Sequence, residues 1–426
     1  MKVLVVGSGG REHALCWAFR RSPKVDHIYC APGNAGIAPV AECAPIAADD
    51  INALADFASS NAVDLTFVGG ETSLALGIVD LFRSRGLNVI GPGKAAAQLE
   101  SSKAFAKDFM ARHGVPTAKY VVAHSPGFAL LELESGDFGN EQNPVVVKAD
   151  GLAAGKGVVV AANRREAETA INELGNIAGS AAAEKIVLEE CLLGKEVSLL
   201  AFVNGEEYAL MPAVRDHKRI GDGDTGPNTG GMGTFTDGSL LTAEQITEIE
   251  EKIIRPTLHG CVKEEMSFNG ILFLGLMMTA DGPKLLEYNV RFGDPETQAI
   301  MVRLETDLVD ICAAMLGLGG AALSDLDIQW RPRSSACVVL ASEGYPQKPR
   351  TGDEISGLDN VAGVENVEIF HAGTSKNAEG RLITAGGRVL GVTATGGDLA
   401  SALESAYAAS AKISWPGMQY RRDIGK

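Results

Sequence analysis

Four short apolar runs, at residues 3–6, 27–31, 65–68 and 88–90, alternate with helical patterns at 11–21, 51–61, 72–85 and 94–99. Strand and helix taking turns in this way predicts a parallel sheet with crossover helices, because parallel neighbours need a long connection between them. Gly91-Pro92-Gly93 closes the pattern. A different rhythm follows. A helix is expected over 103–113, strands over 144–148 and 157–161 joined by a glycine-rich turn, a helix over 164–175 and a strand over 186–190. Next come a long polar loop over 219–233, a helix over 242–265, strands over 270–278 and 284–289, and helices over 295–303 and 307–316. Trp330-Arg-Pro-Arg breaks the pattern, and strands at 336–341, 367–370 and 387–393 lead to a helix over 399–413. The chain reads as a multidomain α/β and α+β protein, divided at 1–101, 102–328 and 329–426. A small subdomain covers about 122–192.

Composition limits the partners. The formal net charge is −16 over 426 residues, which argues against a general nucleic-acid or membrane-surface binder. Small anionic substrates remain compatible with a local basic pocket. The seven cysteines are scattered without Cys-x-x-Cys spacing, as expected of free thiols in a reducing compartment. The histidines show no metal-ligand spacing. Met1-Lys-Val-Leu-Val-Val-Gly runs directly into a strand pattern with no leader and no long apolar span elsewhere. A cytoplasmic protein is expected.

Five constellations carry chemistry. Gly7-Ser-Gly9-Gly10-Arg11-Glu12 follows a strand and opens a helix, so it offers backbone N–H groups and a helix dipole to an anion. Glu12 stands where a dinucleotide fingerprint needs glycine. A phosphate ester and a purely structural tight turn both remain open. Lys148-Ala-Asp-Gly151-Leu-Ala-Ala-Gly155-Lys156-Gly157 ends a strand in small residues that let a backbone close over phosphates. It lacks the Ser or Thr of a P-loop. Glu189-Glu190-Cys191-Leu192, then Glu196, could meet a purine and its ribose or simply be solvated charge. Glu287, Asn289 and Arg291 share one strand face by period two, which suits Mg²⁺ beside an arginine clamp. Asp216-His-Lys218-Arg and Asp224-Thr-Gly-Pro-Asn228-Thr229-Gly230-Gly-Met-Gly233 form a glycine-dense polar loop suited to a small polar substrate.

Together these motifs, with Val6–Ala14, Ala31–Gly36, Ser102–Phe105, Arg291–Gln298 and Phe370–Thr374, resemble the glycinamide ribonucleotide synthetases, a branch of the ATP-grasp ligases, nearly end to end. The resemblance implies an N-terminal pre-ATP-grasp domain, an ATP-grasp core with a mobile lid and a small C-terminal domain. It implies ligation of glycine to 5-phosphoribosylamine with ATP, through glycyl phosphate, in purine synthesis. On that basis Lys103 and Lys148 would hold ATP phosphates and Gly151, Gly155, Lys156 and Gly157 would form the lid. Glu189, Glu190, Cys191 and Leu192 would meet adenine, and Glu196 the ribose. Glu287 and Asn289 would hold Mg²⁺ or Mn²⁺. Arg291, Gly293 and Asp294 would steady the phosphoryl group and substrate, with Arg291, Asp294 and Lys148 catalytic. Asp216, Lys218, Asn228, Thr229 and Gly230 would line the glycine side, and Gly9, Gly10, Arg11 and Glu71 the ribose-phosphate side. A monomer in transient contact with the upstream amidotransferase is also implied. The chain departs from the family's usual Gly-Pro-Glu-x-Pro-Leu at Gly69-Gly-Glu-Thr-Ser-Leu74, where both prolines are absent, and Ser8 replaces a usual Asn. A looser loop is expected there. A bicarbonate-using ATP-grasp ligase, an NAD-dependent oxidoreductase and an inactive binding protein are the competing readings.

Overall fold

A computed structural model describes residues 1–151, 157–178 and 184–426, so Gly155 and Lys156 lie outside the described residues. Lys2–Gly7, His27–Pro32, Leu65–Val68 and Val89–Pro92 pair in parallel, as their alternation with helices requires. Val3, Leu4, Val5 and Val6 are all fully buried. That is the pattern of a strand covered on both faces by crossover helices.

The parallel sheet does not end at Pro92. Phe268–Thr279 pairs with its edge in antiparallel register, Phe268 opposite Pro92. The same sheet continues through Lys195–Asn204, Val214–Asp216 and Gly233–Thr236 to Ser334–Ala341 and Arg388–Gly396, fourteen strands in all. Backbone pairing therefore runs from the first sequence region to the last. A separate four-stranded antiparallel sheet orders Tyr120–Ala123, Ile186–Glu190, Val145–Ala149 and Val158–Ala161. It has its own apolar core, in which Leu133, Val147, Ile171 and Leu188 meet.

Local chemistry accounts for the departures from the expected elements. The helix expected over 72–85 is two, Glu71–Leu76 and Ile78–Ser84, parted by Gly77 at φ 92°, a conformation that ends a helix and that glycine adopts without a Cβ clash. In place of the missing prolines, the Ser73 hydroxyl donates to the Ala48 carbonyl at 2.6 Å, so the altered loop is anchored rather than loose. The helix over 242–265 contains a wide turn at Glu250–Ile254, just before Pro256, which has no N–H and crowds the preceding turn. The polar loop over 219–233 holds a small hairpin, Arg219–Gly221 with Thr225–Asn228. Pro126–Ser135 is an additional helix, its start marked by Ser125, whose Oγ accepts the Phe128 N–H at 3.1 Å.

His13 and His371 join the first helix to the last sheet region. The His371 N–H donates to His13 Nδ1 at 2.8 Å, and the rings lie 5.6 Å apart. Burial holds both neutral, His13 at about 3 and His371 at about 4, with each other's proximity adding to the effect on His13. In the unfolded chain both would titrate near 6.5. Their contribution is therefore complete above that pH and is lost as pH falls, by up to about 1.4 kcal/mol per pH unit for each ring. The melting temperature should fall between pH 7 and pH 5. In His13→Gln that fall should be smaller, and an equal slope in both proteins would contradict this account.

Candidate active site

Period two decides the first part of the site. Tyr288 and Val290 point into the main core, which leaves Glu287, Asn289 and Arg291 on the opposite face. The Arg291 guanidinium reaches Glu100 at 2.7 Å, Glu71 at 3.3 Å and Asn289 Oδ1 at 3.2 Å. Glu71 opens its helix and feels both Arg291 and Arg11. Burial alone would raise its pKa, but the two cations outweigh burial and hold it near 2. Glu100 stands in the last turn of Lys94–Ser101 with its side chain 7% exposed. A carboxylate there opposes the helix dipole, and that conflict is a sequence signal for a fixed cationic partner.

The glycine turn at residues 7–10 is shaped by Glu12. Its carboxylate, 1% exposed, accepts the Gly9 N–H at 2.6 Å and pairs with Arg11 Nε at 2.6 Å. Side chains on Gly7, Gly9 or Gly69 would collide with it. The Arg11 N–H faces Asp294 Oδ2 at 3.4 Å, and Arg11 Nη1 donates to the Phe292 carbonyl at 3.0 Å. Of the backbone donors expected for an anion, the Gly9 and Arg11 N–H groups are thus met by Glu12 and Asp294. Asp294 also accepts from Gln298 Nε2 at 2.8 Å. Burial would raise its pKa, but Arg388 and Arg11 keep it low.

The phosphate side gathers buried ammonium groups. Lys148, 6% exposed, donates to the Leu286 carbonyl at 3.2 Å. Its Nζ lies 2.8 Å from Glu189 Oε1, close enough to pair as charges although that oxygen receives no well-aligned hydrogen bond. Glu189 Oε2 lies 3.0 Å from Lys107 Nζ, which also donates to Thr117 at 2.7 Å. Burial lowers the Lys107 pKa to about 8, with Glu189 opposing and Lys148 adding to the effect. Lys103 donates to the Gly151 carbonyl at 3.2 Å. Asp150 accepts from Ser102 Oγ at 2.9 Å, so the end of the lid strand is tied to the start of the Lys103–His113 helix. Gly157 closes the described edge of the lid turn, its carbonyl accepting the Ala149 N–H at 2.8 Å. Glu190 turns elsewhere, accepting the Lys119 N–H at 2.8 Å, while Cys191 and Leu192 are half-buried beyond it.

On the loop side, Lys218 pairs with Glu196 and lies 3.8 Å from Glu287. Burial would lower its pKa, but these carboxylates raise it. Thr229 is buried and folds back on the Lys218 carbonyl through its N–H at 2.8 Å and its hydroxyl at 2.7 Å. Asn228 pairs with Arg219 across the hairpin. Burial raises the Asp216 pKa, and the nearby Glu296 raises it further. Gly293, fully enclosed, leads from Arg291 into Asp294. Lys218, Lys148, Lys103 and Arg291 are brought close around Glu287, and Arg11 stands close to both Glu71 and Asp294. Sequence reasoning missed Lys107, Glu100, Gln298 and Arg388. Lys107 had a signal, standing one helical turn after Lys103 on the same face.

The chain matches family models along most of its length: "Phosphoribosylglycinamide synthetase, N domain" at residues 1–100, the "ATP-grasp (A) domain" at 101–297 and the "C domain" at 335–426. It is 48% identical to a phosphoribosylamine–glycine ligase of Xanthomonas campestris, covering 100% of this chain and 97% of that one. It is also 48% identical to the enzyme of that name from Vibrio parahaemolyticus, covering 100% and 98%. The crystal structure of the Thermotoga maritima phosphoribosylamine–glycine ligase superposes with a TM-score of 0.84 at 36% identity, covering both chains completely. The biotin carboxylase domain of Hydrogenobacter thermophilus 2-oxoglutarate carboxylase, at 17% identity and TM-score 0.73, covering 98% of this chain and 91% of that one, shares the fold.

Glu189→Gln would leave Lys107 and Lys148 buried without their shared counter-charge. A loss of about 3 kcal/mol is expected, read by urea denaturation at neutral pH. A loss below about 1 kcal/mol, the size of an exposed pair, would show that the two ammonium groups find other compensation.

Proposed function

The chain belongs to the phosphoribosylglycinamide synthetase family, and from that premise we propose how its residues divide the work of the reaction. The enzyme joins glycine to 5-phosphoribosylamine in purine biosynthesis and converts ATP to ADP and phosphate. A glycine carboxylate oxygen bonds to the γ-phosphorus as the bond to ADP breaks. The amine then attacks the carbonyl carbon of glycyl phosphate, phosphate leaves, and the amine gives up a proton. Such chemistry asks the protein for positioning and charge neutralisation rather than for a covalent nucleophile.

In the proposed division, Lys103 and Lys148 hold the ATP phosphates under the lid, which Gly151 and Gly157 flank. Backbone groups of residues 190–192 meet the adenine. Glu196, which pairs with Lys218, takes the ribose hydroxyls. Glu287 and Asn289 fit a hard cation, offering a carboxylate and an amide oxygen on one strand face. Burial would raise the Glu287 pKa, but Lys218, Lys148 and Lys103 keep it low, so the carboxylate is ionised and ready to bind. Bound Mg²⁺ or Mn²⁺ would neutralise charge on the transferring phosphoryl group. Arg291 and Asp294 steady glycine and the phosphoryl group, Asp216, Lys218, Asn228, Thr229 and Gly230 line the glycine side, and Gly9, Gly10, Arg11 and Glu71 face the ribose-phosphate.

The observation that carries this division is the Gly282–Asn289 strand end. It presents Glu287 and Asn289 with Arg291 just beyond, it receives Lys148 on Leu286, and Lys218 stands beside it. We place the domain boundaries at 101/102 and 328/329. The first falls where Ser102 caps the Lys103–His113 helix, accepting the Phe105 N–H at 3.1 Å. We also propose a cytoplasmic monomer that takes its labile amine in transient contact with the amidotransferase that makes it. All seven cysteines are free thiols, which suits a reducing compartment.

ADP release should require glycine, a divalent cation and phosphoribosylamine generated in place. ADP formed at full rate without glycine would overturn the reading. Glu287→Gln should keep the melting temperature within a few degrees and cut kcat about a hundredfold. A normal kcat would remove Glu287 from the cation site.

A further inference from the structure

Loop 216–233 carries Asp216, Lys218 and Gly230, yet much of what fixes it comes from the C-terminal domain. Arg421 has a side chain 1% exposed. Its Nη1 pairs with Asp224 at 2.6 Å and donates to the Arg219 carbonyl at 3.1 Å. Nε and Nη2 form a two-pronged pair with Asp423, both at 2.7 Å. Asp423 in turn accepts the Gly223 N–H at 2.8 Å. The neighbouring backbone joins in. The Arg422 N–H donates to Asp222 at 2.8 Å, and the Gly425 N–H to His217 Nε2 at 3.3 Å.

A second arginine holds the other end. Arg388 Nη1 donates to the carbonyls of Gly230 and Asp294, and its Nη2 lies 3.6 Å from Asp294 Oδ2. Tyr345 Oη accepts the Gly230 N–H at 3.1 Å. Arg388 thereby bridges the loop to the Asp294 segment. A buried guanidinium is commonly only structural, and packing alone would be served by an apolar side chain of similar volume. Here the bonds to the Arg219 and Gly230 carbonyls and to the Asp224 carboxylate end on one loop, and two more end on Asp423, which itself accepts from that loop. A planar fork can serve several acceptors at fixed angles, and a single ammonium cannot.

We propose that Arg388 and Arg421 are positioning residues through which the C-terminal domain sets loop 216–233 in the register that receives glycine. This rests on the assignment of that loop to the glycine side. The domain that lies away from the nucleotide lysines would then control amino-acid recognition.

Arg388→Lys and Arg421→Lys, each in the full chain, test it. With folding checked by melting temperature, KM for glycine should rise about tenfold or more while KM for ATP stays within about twofold. Trypsin cleavage after Lys218 or Arg219, mapped by mass spectrometry on the ligand-free protein, should accelerate in both variants. Should Arg421→Lys fail to fold, Arg388→Lys alone decides. Unchanged glycine KM together with unchanged cleavage overturns the proposal, as does a parallel rise in both KM values. Faster cleavage with no glycine-dependent ADP release even in the unmodified protein would uphold the positioning role and refute the assignment of function.

Discussion

Arg291 is the group on which the arrangement of the site depends. A guanidinium cannot shed its charge, so each structure that encloses one must supply anions and acceptors around it. Here they come from three places: Glu71 at the start of a helix in the parallel-sheet region, Glu100 at the end of the Lys94–Ser101 helix, and Asn289 and the Phe292 carbonyl on its own segment. Glu100 also accepts the Val290 N–H at 2.8 Å, so it holds both the side chain and the strand that carries it. The first region and the central strand are thereby fixed relative to one another at the place proposed for phosphoryl transfer.

The same logic organises the rest of the cleft. Lys107, Glu189 and Lys148 form a buried row in which one carboxylate serves two ammonium groups. Lys218, Glu196 and Glu287 form another row, in which two carboxylates serve one. The first row has a surplus of positive charge, whereas Glu287 of the second also feels Lys148, Lys103 and Arg291. The surplus suits the phosphates proposed for the first row, and the cations around Glu287 keep it ionised for the proposed metal. The continuous fourteen-stranded sheet carries Glu196 and Glu287 of the second row, whereas Glu189 and Lys148 of the first stand on the separate four-stranded sheet.

What was legible in the sequence was what repeats at short range. The parallel sheet announced itself through alternating apolar runs, and the Glu287–Asn289–Arg291 face through period two. The hairpin at Arg219–Asn228 was hidden because its strands are polar and glycine-rich, with no buried face to impose alternation. The sheet's continuity was also hidden, since only Phe268 and Asn269 make the junction with the parallel edge. Among site residues, Arg388 and Arg421 gave no local sign. Apart from Asp423, two residues beyond Arg421, their partners lie in distant segments, and an isolated arginine on a strand or near a turn is ordinary in any sequence. Glu100 and Lys107 were readable in principle, one from its conflict with a helix dipole and the other from its spacing after Lys103.

The glycine turn shows why a motif needs its neighbours. Gly7-Ser-Gly-Gly looks like a cradle for an anion, and Glu12 looks like the defect that spoils a dinucleotide fingerprint. In the folded chain the relation is reversed. Glu12 is buried beneath the turn, and its carboxylate fills the space that side chains on Gly7 and Gly9 would need, while Gln298 fills that of Gly10. The anion that satisfies the Gly9 N–H belongs to the protein, and Asp294 faces the Arg11 N–H. An anion that addressed the Arg11 N–H would therefore have to displace Asp294, and Asp294 is itself held by Gln298 and Arg388. If the proposed ribose-phosphate site lies at this turn, its Arg11 N–H is coupled through Asp294 to the bonds by which Arg388 holds the Asp294 segment against the Asp216–Gly233 loop.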